Sequence, residues 1–187
     1  MSFIVAISLF VILYRKLKQF MPTCQEIFLV GIYFTLEFGM YFCKMNQDRH
    51  NLRRFIQTQD SVFPTVLKEL QTGRKRSHWM WFIFPQLKHL GHSHNARFYG
   101  ISGLDEARAY LDDAVLGERL RRVAMTILEL PTDDAVEVFG GIDSMKLRSC
   151  MTLFDMVSPG DIFARVLDKY FNGRRDNITI EYLNIPR

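Results

Sequence analysis

The sequence predicts an all-α fold, a single compact domain of about eight helices that follows a hydrophobic N-terminal extension. After residue 44, apolar residues recur at the three- and four-residue spacing of amphipathic helices. Only 6 of the 187 residues are proline while 16 are phenylalanine, which favours packed helices over loops. Capping and helix-ending residues then divide the apolar pattern into separate helical segments.

The composition changes sharply near Lys44. Most residues before it are apolar, whereas charges of both signs are interspersed with apolar residues after it. We therefore expect two parts, a hydrophobic extension over residues 1–44 and an all-helical soluble domain over residues 45–187.

Three interpretations of residues 1–44 remain open. The segment is a membrane anchor, a helical hairpin packed on the domain, or a stretch upstream of a true start at Met45. Its second apolar run, from Ile27 to Cys43, is close to the length of a membrane span but contains Glu37, and a carboxylate inside a bilayer is costly. We expect a cytoplasmic protein that is membrane-associated if residues 1–44 are translated.

The first part of the domain predicts three helices. The first carries Leu52, Phe55 and Ile56 on one face. Pro64, a residue favoured in a first turn, begins the second, and Gly73 ends it. Ser77 caps a third helix, which must end before Pro85.

The middle of the domain predicts two more helices. Ser102 and Asp105 form a variant of the capping box for one of them. A longer helix runs from about Ala114 to Leu130 and ends at Pro131.

The last part begins with a short helix that Thr132 caps and the pair Gly140 and Gly141 ends. Asp143 opens the next helix, and another ends at Asn172 and Gly173. A final turn follows Asp176, although the triplet at residues 178–180 also fits a strand.

Charge and cysteine content exclude several functional classes. The net charge of +4 divides about evenly between the first 44 residues and the rest, so we expect no nucleic-acid partner. The cysteines form no CxxC motif, which indicates a reducing compartment. His89, His92 and His94 fit no standard zinc spacing, and we interpret them as a surface loop. We expect no metal and no cofactor.

The segment from Gly73 to Gln86 carries the first candidate site. It combines three consecutive cations, a histidine and both tryptophans, so it can form a pocket wall that stacks on a planar group and binds an anion. The alternative is that its aromatic residues are core. The candidate ligand-binding residues are Arg76, Trp79, Trp81 and Gln86, with Lys75 as an alternative cation and His78 as a candidate acid or base.

The helix that Asp143 opens carries the second candidate site. Free amides at a helix start attract anions, and Lys146 with Ser149 can complete a phosphate site. Asp143 is a candidate catalytic base, although a capping carboxylate is a weak one. Ordinary capping with exposed charges is the alternative. Lys146 also lies four residues before Cys150, which we interpret as a buried, inert thiol.

Four segments of the chain resemble a known family. They are HWMWFIFPQ at residues 78–86, LGERL at 116–120, FGGIDSMKLRSCMTLF at 139–154 and FARVLDKYFNGRRD at 163–176. Over residues 52–183 the chain is similar to the domain of unknown function family 1810, a mainly bacterial family that is sometimes labelled calpastatin.

The resemblance implies a compact, mainly helical fold and brings no activity with it. The calpastatin label implies protease inhibition, but this chain lacks the disordered repeats that such an inhibitor needs. Relatives usually begin near residues 53–59, so the hydrophobic extension departs from the family.

Two functional hypotheses follow. In the first, the two candidate segments meet in a cleft that binds or hydrolyses a small phosphate-bearing, nucleotide-like metabolite. In the second, the chain is a noncatalytic protein-interaction or adaptor domain, with or without a membrane tether, whose protein partner the sequence does not identify. Burial of both tryptophans away from any cavity would remove the first hypothesis.

Overall fold

The computed structural model describes residues 49–184, and within this range the chain forms nine α-helices and no strand. The helices are α1 (Arg53–Gln71), α2 (Met80–Ile83), α3 (His94–Phe98), α4 (Leu104–Asp112), α5 (Leu116–Leu128), α6 (Ala135–Phe139), α7 (Gly141–Val157), α8 (Ile162–Phe171) and α9 (Asn177–Asn184). The described residues also contain one 3₁₀ turn, at Lys88–Leu90, and one isolated bridge between Leu87 and Ile101. The all-α prediction is confirmed.

The predicted extension over residues 1–44 and the alternative start at Met45 lie outside the described residues. Among residues 49–184, no helix combines the length and the apolar character that a bilayer crossing requires.

Helix α7 is the central element of the described domain. It packs against α4, α6, α8 and α9, while α5 packs against α1, α4 and α8. Its Leu147, Cys150, Met151, Leu153 and Phe154 are completely buried. Because the body of α7 is held on several sides, the backbone of its first two turns has a fixed position at the edge of the core.

The expected break at Pro64 is wrong, because α1 runs through this residue. A proline inside a helix costs about 3 kcal/mol. Phe55, Phe63, Val66 and Leu70 lie on both sides of Pro64 and are all buried on one face of α1. Their burial offsets the lost hydrogen bond, since each large apolar side chain contributes roughly 1.5–3 kcal/mol. Pro64 itself is exposed.

Two of the predicted capping residues serve other partners. Ser77 does not cap α2, because its hydroxyl donates to the carboxylate of Glu69. Asp143 lies in the first turn of α7, not at its cap, and its carboxylate binds two lysines. Both side chains bind charged groups instead of the backbone at a helix start, Ser77 that of Glu69 and Asp143 those of Lys75 and Lys146.

Three other helix starts differ from the prediction in their details. Asp134, not Thr132, caps α6, and Thr132 instead accepts a hydrogen bond from the amide of Asp134. Ser102 donates to Glu106 and not to Asp105. The residues of the possible strand at 178–180 belong to α9, because the carboxylate of Asp176 accepts from the amide of Thr179 and starts a helix.

Candidate functional site

The loop between α1 and α2 is held by a single carboxylate, that of Glu69. This carboxylate accepts hydrogen bonds from the amides of Arg76 (2.8 Å) and Ser77 (3.1 Å), from the Ser77 hydroxyl, and from the Trp79 indole (2.8 Å). Burial opposes its ionisation, but these hydrogen bonds favour the charged form more strongly and lower its pKa from 4.5 to about 2. The loop therefore has a defined conformation.

The two tryptophans of this loop and helix have different surroundings. Trp79 is 2% exposed, and its ring packs on Phe84 and Phe139 with centroid distances of 6.2 Å and 6.4 Å. Trp81, two residues later, is half-buried and borders an open hollow. Trp79 is thus a core residue, and only Trp81 offers an accessible indole.

The other wall of the hollow is the junction between α6 and α7. Gly140 ends α6 with φ +77°, a conformation that favours glycine, and α7 begins at the next residue. No side chain caps α7, and the amide of Ser144 is the donor to Gly140. The amides before Ser144 lack acceptors within the helix.

Asp143 lies between two ammonium groups at the start of α7. Its Oδ2 is 2.8 Å from Lys75 Nζ, and its Oδ1 accepts a 2.7 Å hydrogen bond from Lys146 Nζ. Burial raises the pKa of this carboxyl, but the two lysines outweigh burial and the net effect lowers the pKa. Asp143 is therefore held ionised, so it is a poor general base.

Each of these ammonium groups also lies over an indole. Lys75 Nζ is 5.1 Å from the ring centroid of Trp79, and Lys146 Nζ is 5.1 Å from that of Trp81. The backbone amide of Lys75 donates to the carbonyl of Val138 in α6 at 2.8 Å. These contacts fix both cations at the edge of the hollow.

The resulting hollow has a volume of about 420 Å³. Four residues of the sequence-based candidate site line it together with Lys75, namely His78, Trp81, Asp143 and Lys146. The aromatic segment and the start of α7 therefore meet in space. A volume of this size is within the range of small-molecule sites.

The other four candidate residues lie outside this hollow. Arg76 is exposed, and Trp79 is buried in the core. Gln86 is half-buried, and its backbone carbonyl accepts from the amide of Ile101. Ser149 is 7% exposed and donates to the carbonyl of Met145 at 3.2 Å, one turn earlier in α7.

Sequence reasoning missed two residues that shape the site. Lys75 is only an alternative to Arg76 in the sequence, because adjacent cations give no sign of which one faces inward. Glu69 lies outside both candidate segments. A carboxylate near the C-terminal end of a helix opposes the helix dipole, so the position of Glu69 was a usable signal that it has a tertiary partner.

The other candidate groups of the sequence, the histidines and Cys150, form neither a metal site nor an activated thiol among the described residues. His89 stacks on Tyr182 and His94 on Phe98. Between residues 49 and 184, no three histidine, cysteine or acidic side chains gather as metal ligands. Burial raises the pKa of the Cys150 thiol well above its ordinary value, so the thiolate nucleophile is disfavoured.

A larger hollow, of about 690 Å³, lies along the outer face of α5. Both acidic and basic side chains line it, including Asp112, Glu118 and Arg122. Its other cation, Arg121, is already paired with Asp161 at 3.1 Å. The mixed charges give this hollow no preference for an anion.

Comparison with known proteins places the domain in a family. The family model described as Protein of unknown function (DUF1810) matches residues 49–183. The structure is similar to the crystal structure of the conserved hypothetical protein Rv1873 from Mycobacterium tuberculosis, with a TM-score of 0.73 and 42% sequence identity, over 74% of this chain and 100% of that one. No curated protein matches. The motifs and the family match agree, and the chain belongs to the DUF1810 family.

Proposed function

We propose that the chain binds a small phosphate-bearing molecule in the hollow between the α1–α2 loop and the start of α7. The observation that carries this proposal is the convergence of Lys75 and Lys146 on one hollow of about 420 Å³. An ammonium group has three donors. Within residues 49–184, each of these two makes one ion pair, with Asp143, so further donors remain for a ligand.

The local charge favours an anion. Two ammonium groups and one carboxylate leave the lining with a net positive charge, counting Lys75, Lys146 and Asp143. The free amides at the uncapped start of α7 add partial positive charge in the same place. Phosphate oxygens suit this combination, because charge-assisted hydrogen bonds to ammonium and amide groups are the strong ones.

The lining also favours a ligand with an apolar or planar part. Trp81 contributes a half-buried indole, and Ile142 is 69% exposed at the same hollow. A nucleotide or a related phosphate ester combines an anionic group with a planar ring, which is why we favour this ligand class over inorganic phosphate alone.

The arrangement supports binding more than hydrolysis. Asp143 is held in its charged form by two lysines, so it has little capacity to take a proton. His78 lines the hollow and is the remaining candidate for an acid or base. We therefore propose binding as the function of the site. His78 is the candidate acid or base among the residues that line it.

A second candidate function is a noncatalytic protein-interaction domain. Ile142 and Met145 are 69% and 57% exposed on the first turns of α7, and Val136 is 53% exposed on α6. Exposed apolar side chains of this kind occur at protein interfaces. This function needs no small ligand, so the experiment below separates the two.

Thermal unfolding of the full chain with a panel of nucleotides and sugar phosphates tests the proposal. A ligand at 100 times its Kd adds about 2.7 kcal/mol of stability. Lys146→Met, which keeps most of the aliphatic stem, should weaken binding of the responding ligand at least tenfold. Lys68→Met on the exposed side of α1 is the matched control and should bind normally. Absence of a shift with every member would favour the interaction domain.

A further inference from the structure

The carboxylate of Asp143 binds the ammonium groups of two lysines in the way that the phosphate of a ligand would. Lys75 and Lys146 approach different oxygens of the carboxylate, at 2.8 Å and 2.7 Å. Two oxygens of a phosphate group are bound by two cations in the same manner. The carboxylate is 18% exposed and belongs to the lining of the hollow, so it lies on the path of an incoming anion.

The fold does not need this carboxylate to start α7. The helix begins at Gly141 without a side-chain cap, and the partners of the Asp143 carboxylate are the two lysine ammonium groups. The body of α7 is fixed by buried apolar residues from Leu147 onward. The position of the Lys75 backbone is set separately, by its hydrogen bond to Val138.

The two lysines are also positioned without Asp143. Each ammonium lies 5.1 Å from an indole centroid, that of Trp79 for Lys75 and that of Trp81 for Lys146. A cation–π contact orients an ammonium group and leaves its hydrogen-bond donors available. Removing the carboxylate should therefore free donors without dispersing the cations.

We infer that Asp143 is an internal counter-anion that competes with the phosphate of the ligand for Lys75 and Lys146. This inference rests on the proposed function and specifies how the site is regulated. Asp143 lowers the affinity of the hollow for anions, so only a ligand with further contacts, such as those to Trp81, binds well. A residue that only aligns the lysines would weaken anion binding when removed.

Isothermal titration with methyl phosphate tests this inference, because this ester is mainly a dianion at pH 8. The proteins are the full chain, Asp143→Asn and Asp105→Asn. Asp105 is 91% exposed on α4 and outside the hollow, so it controls for the change in net charge. We expect Asp143→Asn to bind methyl phosphate at least tenfold more tightly than the unmodified chain, and Asp105→Asn to stay within twofold of it.

The outcomes separate the inference from the proposed function. Binding that is unchanged or weaker in Asp143→Asn, with clear binding by the unmodified chain, overturns the inference alone. Binding by Asp143→Asn only, or tighter binding by it, supports the inference. Absence of methyl phosphate binding by all three proteins overturns the inference, and the nucleotide and sugar-phosphate panel then decides the proposed function. If Asp143→Asn does not fold, the ¹³C resonance of the Asp143 carboxyl in the unmodified chain replaces it. That resonance should move on addition of methyl phosphate, and a fixed resonance contradicts the inference.

Discussion

Two clusters of charged side chains in this domain differ in how many of their hydrogen-bond donors are used. The guanidinium of Arg54 has five donors and meets five acceptors, which are the carbonyls of His50, Asn51, Phe98 and Gly100 and the carboxylate of Glu106. In the other cluster, Lys75 and Lys146 each bind one oxygen of Asp143 and border a hollow.

The difference separates a structural cluster from the proposed binding cluster. The side chains of Arg54 and Glu106 are 9% and 6% exposed, and their bonds join the start of α1 to the loop before α4 and to α4 itself. Nothing further can bind there without breaking these bonds. In the lysine cluster each ammonium group makes one ion pair, with Asp143, and this is the basis of the binding proposal.

The largest expected effect is on the stability of the Arg54 cluster. Arg54→Met leaves Glu106 buried without its charged partner, and removing one member of a buried pair typically costs about 3–5 kcal/mol. We expect a loss of this size in urea-induced unfolding of the full chain. Arg108→Met, at an exposed position on α4, is the control and should change the unfolding free energy by less than about 0.5 kcal/mol.

The comparison predicts that Lys146→Met behaves like the control in the same experiment. Asp143 keeps Lys75 as a partner in this variant, so we expect a loss below about 1 kcal/mol. A loss equal to that of Arg54→Met would mean that both clusters are structural and would remove the distinction.

Glu69 provides a smaller, pH-dependent test, because its carboxylate holds the loop between α1 and α2 through hydrogen bonds. Its pKa is about 2 in the folded chain against an ordinary value of 4.5. A lowered pKa contributes stability above pH 4.5 that is lost as the pH falls toward 2. Allowing for solvent screening of this partly exposed group, we expect Glu69→Gln to be less stable by about 1–2 kcal/mol at pH 7.

The measurement is urea unfolding of the unmodified chain and of Glu69→Gln at several pH values between 7 and 3. The stability difference between the two proteins should shrink below pH 4.5, because the Glu69 carboxylate of the unfolded chain becomes protonated there while that of the folded chain stays ionised until the pH nears 2. A difference that stays constant over this range would show that the hydrogen bonds of Glu69 do not depend on its charge.

Helical periodicity predicted most of the fold because local pattern and tertiary packing agree there. The apolar spacing defined α5 and α8, and Asn172 ends α8 in the left-handed conformation expected of such a residue. Prediction failed at Pro64, where the burial of a continuous apolar face outweighs a local helix breaker. The short helix α3 was missed because its five residues carry too little periodicity.

The sequence indicated the two segments of the candidate site but not the orientation of each side chain. Trp79 and Trp81 differ by two residues, and only the packing of Phe84 and Phe139 decides that Trp79 enters the core. Local rules predict that Ser77 caps a helix. The prediction fails because its hydroxyl binds Glu69, a contact that local rules do not include. The sequence therefore predicts which residue types form the candidate site, whereas the direction of each side chain depends on contacts with residues elsewhere in the chain.

The two tryptophans allow the most direct test of the binding proposal. The chain has 2 tryptophans, so an amide correlation spectrum of ¹⁵N-labelled protein contains two indole signals, which Trp81→Phe assigns. On titration with a nucleoside monophosphate, we expect from the binding proposal a saturable shift of the Trp81 signal and little change in that of Trp79, which lies in the core and donates to Glu69. A stationary Trp81 signal at saturating ligand, or a shift of Trp79 alone, would contradict it.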